Sequence, residues 1–216
     1  MNYKAIVWDL DGTLLDTLDD LANSVNYALS ACGHPLHTRE EIRTYIGNGA
    51  VKLIERSIPA GAGEEERDRV LAAFREHYGI HCNDETKPYP GMMELLSDLN
   101  GAGIPMGIVS NKPDSAVADL AQVYFQGKIR VSAGARPGYE VKPAPDLVWE
   151  VLRQMGVSPA EAVYIGDSEV DVITAKNAGM AGIAVTWGFR DEEGLRRAGA
   201  QAIAHTAQEL RQLLEM

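Results

Sequence analysis

The fold is decided by the stretch Ala5-Ile6-Val7-Trp8-Asp9-Leu10-Asp11-Gly12-Thr13-Leu14-Leu15-Asp16-Thr17, in which a short apolar run gives way to acidic and turn-forming residues. The apolar run is rich in residues that favour strands and predicts a buried strand. If the strand continues to the aspartates, Asp9 and Asp11 lie on the same face, because side chains alternate along a strand. Two neighbouring carboxylates repel each other unless a cation lies between them or one holds a proton. The pair therefore indicates a divalent cation site, or a nucleophile with an acid–base partner.

The dipeptide Asp11-Gly12 allows a second interpretation, since Asp-Gly is a common signal for a hairpin turn. A hairpin needs a returning strand directly after the turn. The residues after Gly12 lack that pattern, and the sequence from Asp16 onward has helical periodicity. We therefore expect the dipeptide to end a strand and not to join two antiparallel ones.

The composition limits the class of protein. The chain has 216 residues, 45% hydrophobic and 24% charged, which suits a globular protein with one full core and a smaller second lobe. A formal net charge of −11 argues against a basic face for nucleic acid or anionic membranes. The sequence has no bilayer-length apolar run and no export-signal pattern, and Cys32 and Cys82 form no metal-type or redox-type pair. We expect a cytoplasmic protein without membrane contact, either a monomer or a homodimer.

Residues 17–84 contain helical patterns only. Thr38 and Glu41 have the spacing of a capping box, and Gly47-Asn48-Gly49 interrupts the helices. Helices are predicted over residues 17–32, from 38, and over 50–57 and 64–78. This block indicates an inserted all-helical domain.

Strands alternate with helices in the rest of the chain. Helices are predicted over residues 89–100, 114–123, 145–155 and 170–178, and short helices around 202–203. Strands are predicted over residues 105–110, 128–133, 162–165 and 182–186. Continuous apolar strands of this kind indicate a parallel sheet. The predicted fold is an α/β, Rossmann-like parallel sheet with helices on both faces, a core of residues 1–16 and 85–216 with a helical cap of residues 17–84.

Ligands of open parallel sheets bind at the carboxyl ends of the strands. The candidates at those positions are Asp9 and Asp11, Ser110-Asn111-Lys112, Lys142 before a helix, and Gly166-Asp167-Ser168 with Asp171 one helical turn further. Each has an ordinary alternative, such as a helix cap for Ser110, a solvated lysine for Lys142 or an Asx turn for Asp167. Their joint occurrence at strand ends favours a site.

These residues resemble the motifs of the haloacid dehalogenase-like hydrolase superfamily. Asp9-Leu-Asp-Gly-Thr13 is similar to its first motif, Ser110 to its second, Lys142 in Lys-Pro-Ala-Pro to its third, and residues 166–171 to its fourth. The resemblance spans the whole chain. The position of the helical block, with the stretches 45–49 and 185–190, resembles the phosphoglycolate phosphatase-like branch.

The resemblance implies a magnesium-dependent phosphatase for small phosphorylated metabolites that works through an aspartyl-phosphate. Asp9 is the implied nucleophile, and Asp11 is the implied general acid for the leaving alcohol and then the base for water. Mg²⁺ is expected on Asp9, Asp167 and the backbone carbonyl of Asp11.

The remaining motif residues have implied supporting roles. Phosphate oxygens are expected to bind the Ser110 hydroxyl, the adjacent amide of Asn111, Thr13 and Lys142, whose charge would stabilise the transition state. Gly12 would allow the backbone to approach the phosphate. Asp171 would contact the metal through water, or hold Lys142 or Asp167 in place.

The helical insert is expected to close over the site as a lid and to select the substrate. Arg43, Asn48 and Lys52 lie near the Gly-Asn-Gly break and are the polar candidates for that selection, although basic residues on a helix are usually solvated. Trp187 and Phe189 are expected to pack at a strand end.

Other activities are compatible with the same core. A sugar-phosphate mutase, a pyrophosphatase, a nucleotidase and a non-catalytic binding protein stay open as alternatives. Dehalogenation requires neither a protonated leaving group nor Mg²⁺, so the presence of Asp11 argues against it.

Overall fold

The structure is a computed structural model that describes residues 3–214. The strands are β1 (Ala5–Trp8), β2 (Leu15–Asp16), β3 (Lys87–Pro88), β4 (Met106–Pro113), β5 (Val131–Ala135), β6 (Ala162–Gly166), β7 (Ala181–Val185) and β8 (Ala202–Ala204). The helices are α1 (Leu18–Ala31), α2 (Arg39–Tyr45), α3 (Gly49–Ser57), α4 (Glu64–His81), α5 (Met92–Gly101), α6 (Asp114–Phe125), α7 (Asp146–Met155), α8 (Glu169–Ala178), α9 (Glu192–Arg197) and α10 (Ala207–Leu213). In this part of the chain no helix has both the length and the apolar character to cross a membrane.

The main sheet has six strands in the order β5-β4-β1-β6-β7-β8, and the registered pairs are parallel. β1 lies at its centre, with Val7 opposite Gly107 of β4 on one side and Tyr164 of β6 on the other. The strand order reverses beside β1, and a reversal of this kind opens a crevice at the carboxyl ends of the strands. Asp9 is the first residue after β1 and therefore lies at this crevice.

Helices cover both faces of the sheet. Ile6 and Trp8 of β1 belong to a buried apolar cluster with residues of α5, α6 and α10. Ala5 and Val7, the alternate residues of the same strand, belong to a second cluster with residues of α7 and α8. This alternation explains why β1 is apolar throughout, and the predicted α/β class with a parallel sheet is confirmed.

Three short strands lie where the sequence predicted none. The helix expected around residues 202–203 is wrong: these residues form β8, in which Ala202 lies opposite Ile183 of β7. Three residues are too few for periodicity to distinguish strand from helix, so pairing with β7 decides. The other two, β2 and β3, pair with each other as a separate ribbon. The registered partners of β1 are parallel, so the hairpin interpretation of Asp11-Gly12 is excluded.

Residues 16–87 form one compact unit, which contains α1 to α4, and the described residues up to Leu15 and from Pro88 onward form the other. The predicted capping box of Thr38 and Glu41 at the start of α2 is confirmed. Inside this helical unit, the buried Asp20 carboxylate accepts hydrogen bonds from the backbone N–H groups of Glu85 and Thr86, each at 2.9 Å. These bonds tie α1 to the segment where the chain leaves the unit. Its action as a lid stays a prediction.

Candidate active site

The end of β1 presents a buried carboxylate. The Asp9 backbone N–H donates to the carbonyl of Ile165 at 2.8 Å, which extends the pairing with β6 by one bond. The ammonium of Lys142 donates to Asp9 Oδ1 at 2.7 Å and to Asp171 Oδ1 at 2.8 Å. Although burial lowers the pKa of Lys142, the charges of Asp171 and Asp9 raise it well above its ordinary value. Lys142 is therefore an ammonium that bridges two carboxylates inside the protein.

Two side chains hold Lys142 in this position. The Tyr164 hydroxyl accepts a hydrogen bond from Lys142 Nζ and donates one to Asp171 Oδ1, both at 3.1 Å. The side-chain amide of Asn111 donates to the Lys142 carbonyl at 3.0 Å and accepts from the Lys142 N–H at 2.8 Å. The phosphate contact predicted for Asn111 is through its backbone amide, so the side chain has a second role that the sequence did not indicate. Tyr164 is a site residue that sequence reasoning missed.

Asp167, directly after β6, packs against the backbone of Gly12 and Gly188. Its Oδ2 accepts the N–H of Phe189 at 2.6 Å, and its Oδ1 accepts the Thr13 hydroxyl at 3.3 Å. A Cβ atom on Gly12 would lie 2.4 Å from Asp167 Oδ2, and one on Gly188 would lie 2.3 Å from the same oxygen. Glycine at both positions is what allows the carboxylate to lie against the loop after β1.

The carboxylates of Asp9, Asp167 and Asp171 form a buried cluster, in which one oxygen of each lies within 4.8 Å of the others. Burial, followed by the charge of Asp171, raises the pKa of Asp9 well above its ordinary value. The same two causes raise the pKa of Asp167 to about 7. The Lys142 ammonium binds Asp9 and Asp171 but not Asp167, and a further cation would relieve the repulsion among the three carboxylates. A donor set made only of carboxylate oxygens fits a hard divalent metal ion.

Asp171 differs from the other two carboxylates because each of its oxygens accepts two hydrogen bonds. Oδ1 accepts from Lys142 and Tyr164, and Oδ2 accepts from the Ser168 hydroxyl at 2.6 Å and from the Ser168 N–H at 3.1 Å. A Cβ on Gly166 would lie 2.3 Å from the Asp171 side chain, so its position is also restricted by packing. This arrangement favours a supporting role, as the sequence suggested.

Asp11 forms an ion pair with a second buried lysine, Lys112. Lys112 Nζ donates to Asp11 Oδ1 at 2.8 Å, and only 2% of the Lys112 side chain is exposed, against 16% of Asp11. The predicted phosphate ligand Ser110 is also buried, and its hydroxyl accepts the N–H of Lys112 at 3.2 Å. The sequence places Lys112 beside Ser110 without indicating a role for it. No local signal in the sequence indicates this contact, because Asp11 and Lys112 lie 101 positions apart.

Trp187 and Phe189 pack as predicted, Phe189 buried and Trp187 against the apolar cluster that contains Trp8. They also contribute polar bonds that the sequence did not indicate. Trp187 Nε1 donates to the carbonyl of Thr13 at 3.0 Å, and Phe189 binds Asp167 through its backbone. The segment after β7 therefore holds both the first and the fourth motif.

The three candidates for substrate selection lie in the helical unit, and each has a local partner. Arg43 of α2 pairs with Glu40 at 3.5 Å, and Lys52 of α3 pairs with Glu55 at 2.6 Å. Asn48 Oδ1 accepts from Arg56 at 2.6 Å. Their contact with substrate stays a prediction.

Comparison with known proteins identifies the family. Residues 6–185 match the family model of the haloacid dehalogenase-like hydrolases. The chain belongs to this family. The match covers all four motifs, and the resemblance inferred from them is confirmed.

Several relatives of the chain are named phosphoglycolate phosphatase. This chain is 35% identical over 192 residues to phosphoglycolate phosphatase 1 of Pseudomonas aeruginosa, and the match covers 86% of this chain and 70% of that protein. It is 32% identical over 216 residues to the phosphoglycolate phosphatase of Vibrio parahaemolyticus, covering 97% and 95%.

Two solved structures extend the likeness to the whole fold. A protein from Lactobacillus delbrueckii subsp. bulgaricus, provisionally assigned as a phosphoglycolate phosphatase, superposes with a TM-score of 0.95 at 37% identity over 99% of each chain. CbbY from Rhodobacter sphaeroides, solved in complex with phosphate, superposes with a TM-score of 0.74 at 26% identity over 94% and 93%.

Proposed function

We propose that this chain is a magnesium-dependent phosphatase that hydrolyses small phosphomonoesters, with phosphoglycolate or a similar compound as substrate, through an aspartyl-phosphate on Asp9. The observation that carries the proposal is the buried cluster at the end of β1, where Asp9 lies beside Lys142 and two further carboxylates. A carboxylate paired with the Lys142 ammonium at the end of the central strand is placed to attack phosphorus, and it needs no deprotonation by a separate base once it is ionised.

In the first step, one oxygen of Asp9 attacks phosphorus while the bond from phosphorus to the leaving oxygen breaks. Asp11, carrying a proton, gives it to the leaving oxygen, so that an alcohol departs and an aspartyl-phosphate remains. The Lys142 ammonium, 2.7 Å from Asp9, stabilises the negative charge on the phosphoryl oxygens.

In the second step, water attacks the phosphorus of the aspartyl-phosphate. Asp11, now a carboxylate, takes the proton of that water as the new P–O bond forms. The bond between phosphorus and Asp9 breaks, which restores the Asp9 carboxylate and releases inorganic phosphate. Ser110, Thr13 and the amide of Asn111 bind the phosphate oxygens in both steps.

The metal ion of the proposal is Mg²⁺, held by the carboxylates of Asp9 and Asp167 and by the carbonyl of Asp11. When bound, it offsets the repulsion between the Asp9 carboxylate and the phosphate. The all-oxygen donor set and the repulsion among the carboxylates of the cluster support this choice.

The substrate class rests on the relatives. Proteins named phosphoglycolate phosphatase match the chain over most of its length, and a related fold has been solved with phosphate bound. The helical unit, with Arg43, Asn48 and Lys52, selects among phosphomonoesters in this proposal. The net charge of −11 supports a small-molecule partner over nucleic acid, and a cytoplasmic location completes the proposal.

The test is phosphate release with Mg²⁺ from phosphoglycolate, sugar phosphates, nucleotides and pyrophosphate, with isomer formation measured for a hexose 1-phosphate. We expect release from a small phosphomonoester, complete loss on chelation of the metal, and loss of at least about 10³-fold in Asp9→Asn. Asp119→Asn, on an exposed face of α6, is the matched control and should behave as the unmodified protein. Unchanged activity in Asp9→Asn would refute the mechanism, and isomer formation without phosphate release would assign a mutase.

A further inference from the structure

We propose that Lys112 is a positioning residue for the proton transfer: it binds one oxygen of Asp11 and so leaves the other oxygen to exchange the proton with the leaving group. The inference rests on the proposed phosphatase function and adds a residue to it.

The geometry of the pair supports this assignment. Lys112 Nζ lies 2.8 Å from Asp11 Oδ1, and the lysine side chain is 2% exposed while the aspartate is 16% exposed. A lysine this buried is retained in proteins when it is paired. An ammonium has donors and no acceptor, so the oxygen that it binds serves as an acceptor. The exchangeable proton of Asp11 is thereby directed to Oδ2.

The strand that carries Lys112 is built to present it. Between the pair Val109–Ala133 and the pair Pro113–Ala135, β4 advances by residues 110–113 while β5 advances by residues 134–135. The additional residues in β4 form a bulge, and bulges near active sites redirect side chains. Lys112 lies within this bulge, directly after the Ser110 and Asn111 of the second motif.

The backbone of the bulge is also fixed from the neighbouring strand. A Cβ on Gly134 of β5 would lie 2.6 Å from the carbonyl oxygen of Lys112 and 2.6 Å from Asp114 Cα, so the two backbones are in direct contact. The Gly134 N–H donates to Asp114 Oδ1 at 2.7 Å, and Arg136 binds the same oxygen at 3.2 Å. Lys112 therefore projects from a segment that is closely packed against β5.

The two buried lysines have different partners. Lys142 binds the nucleophile Asp9 and the supporting Asp171, whereas Lys112 binds Asp11. Removal of Lys142 is expected to affect charge at phosphorus, which matters for every phosphomonoester. Removal of Lys112 is expected to affect the transfer of a proton to the leaving group, which matters only where the leaving group needs one.

The test compares leaving groups in Lys112→Met with Mg²⁺ present. p-Nitrophenyl phosphate releases a stable anion, whereas phosphoglycolate and ethyl phosphate release alkoxides that need a proton. The measured quantity is kcat/KM, which reports the steps through leaving-group departure. We expect kcat/KM to fall by about 10²-fold for both alkyl phosphates and by less than about tenfold for p-nitrophenyl phosphate, within the usual contribution of general acid catalysis.

Three other outcomes would overturn the inference. An equal loss for all three substrates would make Lys112 a phosphate ligand or a structural residue. A loss confined to phosphoglycolate would make it a ligand for the substrate carboxylate. No loss at all would remove it from the site. In each case the phosphatase itself remains established, whereas failure of the unmodified protein to hydrolyse any phosphomonoester would refute the proposed function and this inference with it.

Further variants separate positioning from damage to the fold. Lys112→Arg keeps a cationic donor and should recover part of the alkyl phosphate activity. If Lys112→Met does not fold, Lys112→Arg takes its place in the test. Its kcat/KM should still fall more for the alkyl phosphates than for p-nitrophenyl phosphate, by a smaller factor, and an equal fall for all substrates would refute the inference. In an Asp11→Asn background, Lys112→Met should add no further selective loss. Lys176→Met, an exposed lysine of α8, is the matched control and should change nothing.

Discussion

Replacing Gly12 with alanine tests how closely the site is packed around Asp167. The backbone φ of Gly12 is +85°, a conformation that residues with a Cβ rarely adopt. The added Cβ would lie 2.4 Å from Asp167 Oδ2 and 2.9 Å from the Phe189 ring. Ordinary contact begins near 3.4 Å, so the carboxylate has to move by about 1 Å or the loop has to shift.

Two effects determine how much stability Gly12→Ala should lose. The left-handed conformation costs about 1–2 kcal/mol for alanine. Displacement of Asp167 also weakens its hydrogen bond from the Phe189 N–H, now 2.6 Å, and a bond to a charged group contributes about 1.5–3 kcal/mol. We therefore expect Gly12→Ala to lower the free energy of unfolding by about 2.5–5 kcal/mol. A displacement of about 1 Å at a catalytic group also reduces the rate by about 10²-fold.

The assay measures urea unfolding and phosphate release at increasing Mg²⁺ concentration. Gly127→Ala is the matched control, because Gly127 has a φ of +76° but its Cβ would have no atom within 4 Å. The control should lose about 1–2 kcal/mol of stability and keep its activity. If Gly12→Ala keeps the unmodified kcat/KM and Mg²⁺ dependence, close packing of Asp167 against the loop is not required and the reasoning is refuted.

Three further measurements test the charges and packing of the molecule. Asp171→Ala removes one of the two carboxylates that bind the buried Lys142, and urea unfolding should show a loss of about 3–5 kcal/mol, so a loss under about 1 kcal/mol would contradict the account. Asp20→Ala leaves the N–H groups of Glu85 and Thr86 without their acceptor, so urea unfolding should show a loss of about 2–4 kcal/mol in the free energy of unfolding. An unchanged unfolding midpoint would show that these hydrogen bonds do not stabilise the helical unit. Burial, followed by the charge of Asp171, raises the pKa of Asp167 from 3.8 to about 7, so between these values the Asp167 carboxyl holds more of its proton in the metal-free folded protein than in the unfolded chain. The contribution of Asp167 to stability should therefore fall as the pH rises through this window, by up to about 1.4 kcal/mol per pH unit. Asp167→Asn should remove this contribution from the pH dependence of stability, and an unchanged pH dependence would contradict the assignment.

Five of the six strands of the main sheet could be predicted from the sequence, because their signals are local. The apolar run of residues 5–8 and the alternation of strands with helices predict a parallel sheet, and pairing places β1 at its centre. β8 was missed because three residues carry no periodic signal, and its pairing with β7 is a tertiary effect. β2 and β3 were missed for the same reason, since each has two residues.

The sequence predicts which residues form the candidate site but not which of them bind one another. In the structure, hydrogen bonds join Asp9, Lys142 and Asp171 in one group and Thr13 and Asp167 in another. The carboxylates of Asp9, Asp167 and Asp171 bring the two groups together. Which lysine binds which aspartate depends on contacts between residues about 100 or more positions apart, which no local pattern encodes. Lys112 was overlooked for this reason: beside Ser110 it resembles an ordinary lysine at a strand end. Its burial and its contact with Asp11 exist only in the folded chain.

The crowding expected between Asp9 and Asp11 involves two lysines that the sequence did not pair with them. Each carboxylate is bound by its own buried lysine, Lys142 for Asp9 and Lys112 for Asp11. The cluster of three carboxylates lies elsewhere, between Asp9, Asp167 and Asp171. This cluster joins the ends of β1 and β6, and it carries the metal site that we propose.

The central claim is that Asp9 becomes phosphorylated, and trapping that intermediate tests it most directly. The protein is mixed with Mg²⁺ and a phosphate-labelled substrate that it hydrolyses, quenched in acid within the first turnover, and digested for peptide mapping. The account predicts label on the peptide that contains Asp9, loss of that label in a chase with unlabelled substrate, and no label in Asp9→Asn. Phosphate release without a labelled enzyme under these conditions, or label on a peptide other than that of Asp9, would contradict it.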